Sequence, residues 1–150
     1  MSIRENLISQ AEAAKQSSRV LAKAASGEKN KALNMIADKL IERQDEILKI
    51  NEEDMEKGRN NDLSRALLDR LKLTEARIES MAQGLREVAA QEDPIGEIPH
   101  MWKRPNGLQI GKIRVPLGVI GIIYEARPNV TVDVAGLCLK SGNAVILRGG

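Results

Sequence analysis

Residues 119–150 read VIGIIYEARPNVTVDVAGLCLKSGNAVILRGG, and this stretch decides the fold. Val119, Ile120, Gly121, Ile122, Ile123 and Tyr124 form a short apolar run rich in β-branched residues. Residues 130–140 are long enough for a crossover helix, and Ser141-Gly142-Asn143 would stop it. Ala144, Val145, Ile146 and Leu147 form a second apolar run, followed at once by Arg148, Gly149 and Gly150. Two continuous apolar strands joined by a helix predict a parallel pair with a right-handed crossover. Open α/β sheets bind ligands outside the carboxyl ends of their strands. The two polar or glycine-rich ends, 124–129 and 148–150, are therefore the places to look for a ligand.

Upstream of this stretch the chain is helical. Ile3, Leu7, Ala11, Ala14, Ser18, Leu21 and Ala25 recur at steps of three and four, and Ser26-Gly27 ends that helix. Leu33, Ile36, Leu40, Ile47 and Ile50 continue the spacing in a second helix. A loop over 58–62 leads to a short helix over 64–71, with Asp62 or Ser64 as N-cap. Thr74 caps the next helix, which puts Ile78, Met81, Leu85 and Val88 on one face and ends by Asp93-Pro94. Pro105-Asn106-Gly107 then separates two candidate strands, a hairpin signal. The second arm, 108–115, alternates as a half-buried strand should. Trp102 on the first arm is expected to pack against the helices.

Bulk properties narrow the class. Charged residues make up 29% and apolar ones 42%, as in a globular protein. A net charge of +2 with both signs interspersed argues against nucleic acid as a partner, as does the scarcity of stacking aromatics. A single cysteine cannot form an internal disulfide, which suits a reducing cytosol. No apolar run approaches the roughly 20 residues that span a membrane, and residues 1–25 lack a signal-peptide core. A soluble, cytoplasmic protein without a membrane partner is expected. His100 has no Cys, His or acid at metal-ligand spacing, so no metal site is expected. A parallel sheet needs more than two strands and helices on both faces. The chain is therefore expected to be the first part of a longer protein.

Pro116 to Asn129, PLGVIGIIYEARPN, together with YEARPNVTVD and KSGNAVILRGG, resembles the γ-glutamyl phosphate reductases (glutamate-5-semialdehyde dehydrogenases) of the aldehyde dehydrogenase superfamily. The helical lead-in and the hairpin motif WKRPNGL are similar as well, so the resemblance covers the whole chain. It implies an α/β fold. A helical segment (1–92), a β-hairpin (95–116) and the first βαβ unit (117–150) would form the N-terminal part of a truncated NADP-binding domain. A separate catalytic domain would lie outside this chain. The family carries out the NADPH-dependent reduction of γ-glutamyl phosphate to glutamate 5-semialdehyde with release of phosphate, the second step of proline biosynthesis. A cysteine thiolate displaces phosphate to give a thioester, and hydride from the nicotinamide reduces it. The resemblance places that cysteine beyond Gly150, and a homo-oligomer assembled with the help of the hairpin. The 150 residues alone are expected to lack reductase activity. The competing reading is a helical interaction module with no catalysis, drawn from residues 1–92.

Individual residues carry these expectations. Cys138 lies in an apolar helix with no adjacent cation, so it reads as a buried hydrophobe rather than the nucleophile. In nucleotide-binding sheets an acid about 20 residues past the first βα turn holds the ribose hydroxyls, whereas an Arg there takes a 2′-phosphate. Arg148 stands in that region, and by resemblance it contacts the adenosine ribose or its phosphate; otherwise it is a solvated strand-end Arg. Gly149 and Gly150 would let backbone approach the cofactor, or simply turn the chain. By resemblance Tyr124, Glu125 and Ala126 lie beside the nicotinamide. Ala126 takes the place of the superfamily's oxyanion-stabilising Asn, whose loss can cost roughly 3–4 kcal/mol. Asn129 or a backbone N–H would then substitute. Arg127 would meet the substrate's phosphate or carboxylate, or form a salt bridge with Glu125 or Asp133.

Overall fold

The computed structural model describes residues 2–125 and 127–149. Five helices precede the strands: α1 (Ile3–Leu21), α2 (Ser26–Glu42), α3 (Gln44–Asn60), α4 (Arg65–Leu71) and α5 (Glu75–Ala90). A hairpin of β1 (His100–Lys103) and β2 (Gln109–Lys112) follows, then β3 (Val119–Ile123), α6 (Pro128–Lys140) and β4 (Ala144–Arg148).

Local chemistry accounts for most boundaries. Ser2 caps α1 in a capping box with Glu5. Ser64 caps α4, its hydroxyl accepting from the Leu67 N–H, while Asp62 takes a left-handed φ of 53° in the preceding turn. The Thr74 hydroxyl accepts from the Arg77 N–H at the start of α5. Two expectations fail here. Ser26-Gly27 does not merely end α1; the helix stops at Leu21, and Ser26 opens α2, whose Glu28 side chain accepts from the Ala25 N–H. The helix read through residues 33–50 is broken at Arg43, which sits at φ −106°, ψ 18°. The stripe stays on one side, where Ile36, Leu40, Ile47 and Ile50 line a single opening, but that opening is not filled by other described residues, so Ile36 and Ile50 are exposed instead of buried.

The core forms where α2 crosses α5. Leu33, Ala37, Ala82, Leu85 and Ala89 are buried there, and Val132 and Leu139 of α6 pack against them. Helix α5 presents Ile78, Met81 and Leu85 inward as its spacing predicts, while only the second half of the α1 stripe packs, Ile3 and Leu7 being exposed. Gly136 lets α6 approach α5 closely, since a Cβ there would sit 2.5 Å from Leu85 Cδ2.

A buried polar network fastens the three helices. The Lys29 ammonium pairs with Asp93 at 2.5 Å and donates to the Lys140 carbonyl oxygen at 3.1 Å. Lys140 Nζ donates to Asn30 Oδ1 and to the carbonyl oxygens of Ala89 and Gln91 at 2.6–3.0 Å. Every donor thus finds an acceptor, as buried charge requires.

Strands β3 and β4 pair in parallel, Val119 against Ala144 through Ile123 against Arg148. Helices α1 and α6 both contact β4, and α6 supplies the crossover. The expected burial on both faces holds only in part, because β3 alternates and leaves Val119 and Ile123 exposed. Asn143 does more than end α6: its Oδ1 accepts from the Gly118 N–H at 2.8 Å, and its amide donates to Ser141. That clamp sets the two strand starts level.

The hairpin is antiparallel, with Trp102 opposite Ile110. Its turn is closed by the Gly107 N–H donating to Arg104 O at 2.9 Å and the Arg104 N–H donating to Leu108 O at 2.8 Å. Gly107 takes φ 89°, so the turn is the longer, bulged form in which Pro favours the second position and Gly the left-handed one. The second arm is not half-buried as its alternation suggested. Leu108, Ile113 and Val115 are exposed, and Trp102 stacks on His100 at 5.2 Å, because the hairpin packs chiefly on itself.

Candidate functional site

The end of β3 and the end of β4 lie side by side, because the pairing carries Ile123 opposite Arg148 and the Tyr124 N–H donates to Arg148 O at 3.0 Å. Past them is an opening of about 420 Å³ bounded by Ile123, Tyr124, Glu125, Arg148 and Gly149. Four of the predicted cofactor residues are thus brought together; Ala126 and Gly150 lie outside the described residues. Tyr124 is half-buried, and its hydroxyl shares a 2.5 Å hydrogen bond with Thr131 Oγ1 on the first turn of α6. Thr131 carried no signal in the sequence beyond its place in the helix, yet it fixes the ring next to Gly149. Arg148 is exposed, and its guanidinium folds back onto the Gly149 carbonyl oxygen. It has no carboxylate partner among the described residues.

Arg127 and Asn129 face a different opening. Arg127 is the residue before Pro128, the first of α6, and with Asn129 and Asp133 it lines one side of a cleft of about 350 Å³. The other side is the end of α4, the start of α5 and the link between them, with Arg70, Lys72 and Arg77. Asp133 accepts from the Asn129 amide at 3.1 Å. The alternative reading of Arg127, a salt bridge to Glu125 or Asp133, finds no such pair among the described residues. Arg70 falls inside the short helix predicted over 64–71 and Lys72 just past it. Nothing in their spacing pointed to α6, which lies more than fifty residues on.

Cys138 is 5% exposed on the inner face of α6. Burial pushes its thiol pKa up, away from the thiolate form that a nucleophile needs. Among the described residues no group of His, Cys, Asp or Glu could hold a metal ion, and no helix is long and apolar enough to cross a membrane.

The class of the fold follows from solved structures. A probable aldehyde dehydrogenase from Listeria monocytogenes superposes over 97% of the chain and 29% of its own, with TM-score 0.68 at 15% identity, a likeness of fold alone. The helical lead-in, hairpin and βαβ unit are therefore those of the aldehyde dehydrogenase fold. The sequence is more specific. A γ-glutamyl phosphate reductase from Halothermothrix orenii is 64% identical over 150 residues, 100% of this chain and 36% of that protein. The crystal structure of γ-glutamyl phosphate reductase from Thermotoga maritima matches with TM-score 0.91 at 47% identity, over 96% of this chain and 35% of that one. No family model matches the chain. By sequence the chain is similar to γ-glutamyl phosphate reductases along its whole length, and it spans 36% of the length of the curated relative. The match includes the helices along with the rest, so a stand-alone helical module is not supported.

Proposed function

We propose that the chain supplies the cofactor side of an NADPH-dependent reductase that converts L-glutamate 5-phosphate to L-glutamate 5-semialdehyde with release of phosphate. The observation that carries the reading is the 64% identity across all 150 residues to a protein named for this activity, joined to a strand-end opening that suits a phosphorylated nucleotide. That opening has the fit the cofactor needs. It lies outside the carboxyl ends of two parallel strands, and its rim carries an arginine with no carboxylate partner among the described residues. A guanidinium fork matches a phosphate dianion, so Arg148 would hold the 2′-phosphate of NADP(H) and Gly149 would let the ribose approach. Tyr124, held by Thr131, and Glu125 would border the nicotinamide end.

When bound, the nicotinamide supplies the hydride that takes the acyl carbon to the aldehyde level. The residues of this chain orient and neutralise. Arg127 would offset the charge of the phosphate, and Asn129 would donate to the developing oxyanion in place of the Asn that the superfamily carries at Ala126. Cys138, a buried thiol, would not serve as the nucleophile. The enzyme would work in the cytoplasm as a homo-oligomer. The exposed Met101, Leu108, Ile113 and Val115 of the hairpin region supply apolar area for subunit contact.

The test runs the reaction backwards in a reductase of full family length carrying these 150 residues. Oxidation of L-glutamate 5-semialdehyde by NADP⁺ should require inorganic phosphate. Turnover that proceeds equally well without phosphate, or no turnover at all, would overturn the proposal.

A further inference from the structure

The cleft between the α4–α5 connection and the start of α6 is lined by four cationic side chains, Arg70, Lys72, Arg77 and Arg127, against two carboxylates, Asp69 and Asp133. The carboxylates are already engaged. Asp69 lies 3.5 Å from Arg77 Nη2, and Asp133 accepts from Asn129 at 3.1 Å. Arg77 is committed as well, since its Nη1 donates to the carbonyl oxygens of Asp69 and Lys72 at 2.6 and 2.5 Å. The side chains of Arg70, Lys72 and Arg127 make no hydrogen bond or ion pair among the described residues.

The backbone that carries two of these cations is held from both sides. Arg77 grips it from α5. From α3, the buried Asn51 donates to Leu71 O at 2.9 Å and accepts from the Leu73 N–H at 2.7 Å. A connecting segment fixed by a guanidinium and a buried amide, with its own cations left over, is preorganised for an anion.

We propose that this cleft reads the α-carboxylate of the glutamyl substrate, with Arg70 and Lys72 as its ligands and Arg127 on the side of the phosphorylated end. The inference rests on the reductase reading, because only that substrate presents two separated anionic ends. Chain order sets the direction. Arg127 is two residues past Glu125, which borders the strand-end opening, so the reacting end lies toward Arg127. Arg70 and Lys72, across the cleft at the end of α4, are left for the distal carboxylate. The site thereby selects an amino-acid side-chain acyl phosphate over a plain acyl phosphate.

The experiment uses the reductase of full family length in the reverse direction, with L-glutamate 5-semialdehyde, its decarboxylated analogue 4-aminobutanal, and inorganic phosphate varied separately. In Arg70→Gln/Lys72→Gln the KM for L-glutamate 5-semialdehyde should rise by about tenfold or more, as loss of a charge-assisted hydrogen bond gives. The phosphate KM should stay close to that of the parent enzyme, and the preference for the semialdehyde over 4-aminobutanal should collapse. Arg70→Lys and Lys72→Arg should each restore part of that preference, which a merely structural role would not produce. An unchanged preference overturns the subsite, and so does a rise confined to the phosphate KM, which would make the cleft a phosphate site. Each single variant is measured beside the double one, so a folding defect in the double variant leaves the ratios readable. Absence of phosphate-dependent turnover in the parent enzyme would instead remove the reductase reading, and this inference with it.

Discussion

Gly136 shows how much a single position constrains the architecture. It faces Leu85 so closely that an added methyl group would overlap Cδ2 at 2.5 Å, and Leu33 lies 3.6 Å away. Both are core residues of the α2–α5 crossing, so neither has free space to retreat into. Gly136→Ala should therefore destabilise the fold by about 1–3 kcal/mol despite its better helix propensity, the range seen for overpacked cores. Denaturant midpoints measure this; a stabilised variant would show that α6 can slide away from α5. Cys138, two residues on, illustrates what sequence can say about one side chain. Its apolar neighbours alone marked it as a packing residue. Its burial and raised thiol pKa agree with that.

At the scale of elements, the Lys29–Asp93 pair joins α2 to the end of α5, with Ser26 donating to the same carboxylate at 2.6 Å. Burial pushes the Asp93 carboxyl up, but the Lys29 ammonium, the Ser26 hydroxyl and the Ile95 N–H outweigh it and bring the pKa down from 3.8 to about 2. The sign follows. A carboxyl depressed in the folded state contributes stability that is fully present above its unfolded value, and loses it as pH falls through about 2. The contribution is on the order of 1–2 kcal/mol once solvent screening is allowed for. Asp93→Asn should flatten the acid limb of the stability curve between about pH 4 and 2. An acid limb identical to that of the parent would rule the pair out as its source.

Much of this scale was legible in the sequence. The caps Ser64 and Thr74, the inner face of α5, the Asn-Gly turn and the parallel strand pair all rest on local chemistry, which acts over a few residues. The break at Arg43 was not legible, because the apolar spacing runs through it with no Gly or Pro to mark it. The exposure of the hairpin was equally hidden, since alternation reports a pattern without saying what will cover it. The site divides the same way. Motif residues led to Tyr124, Glu125, Arg148 and Gly149, whereas Arg70 and Lys72 became visible only when the fold placed them on one cleft with Arg127.

For the molecule as a whole, the helices serve to hold one strand–helix–strand unit in place. α2 and α5 carry α6, α1 covers β4, and Asn143 levels the strand starts, so that Ile123 and Arg148 end side by side. On the proposed reading, this shared end would hold NADP(H), with Arg148 on its 2′-phosphate. The most direct measurement is NADPH and NADH affinity of Arg148→Ala in a reductase of full family length, read by fluorescence titration. NADPH should bind about tenfold or more weakly while NADH affinity hardly moves, because only NADPH loses a charge-assisted partner. Unchanged NADPH affinity, with an unchanged preference over NADH, would contradict the account.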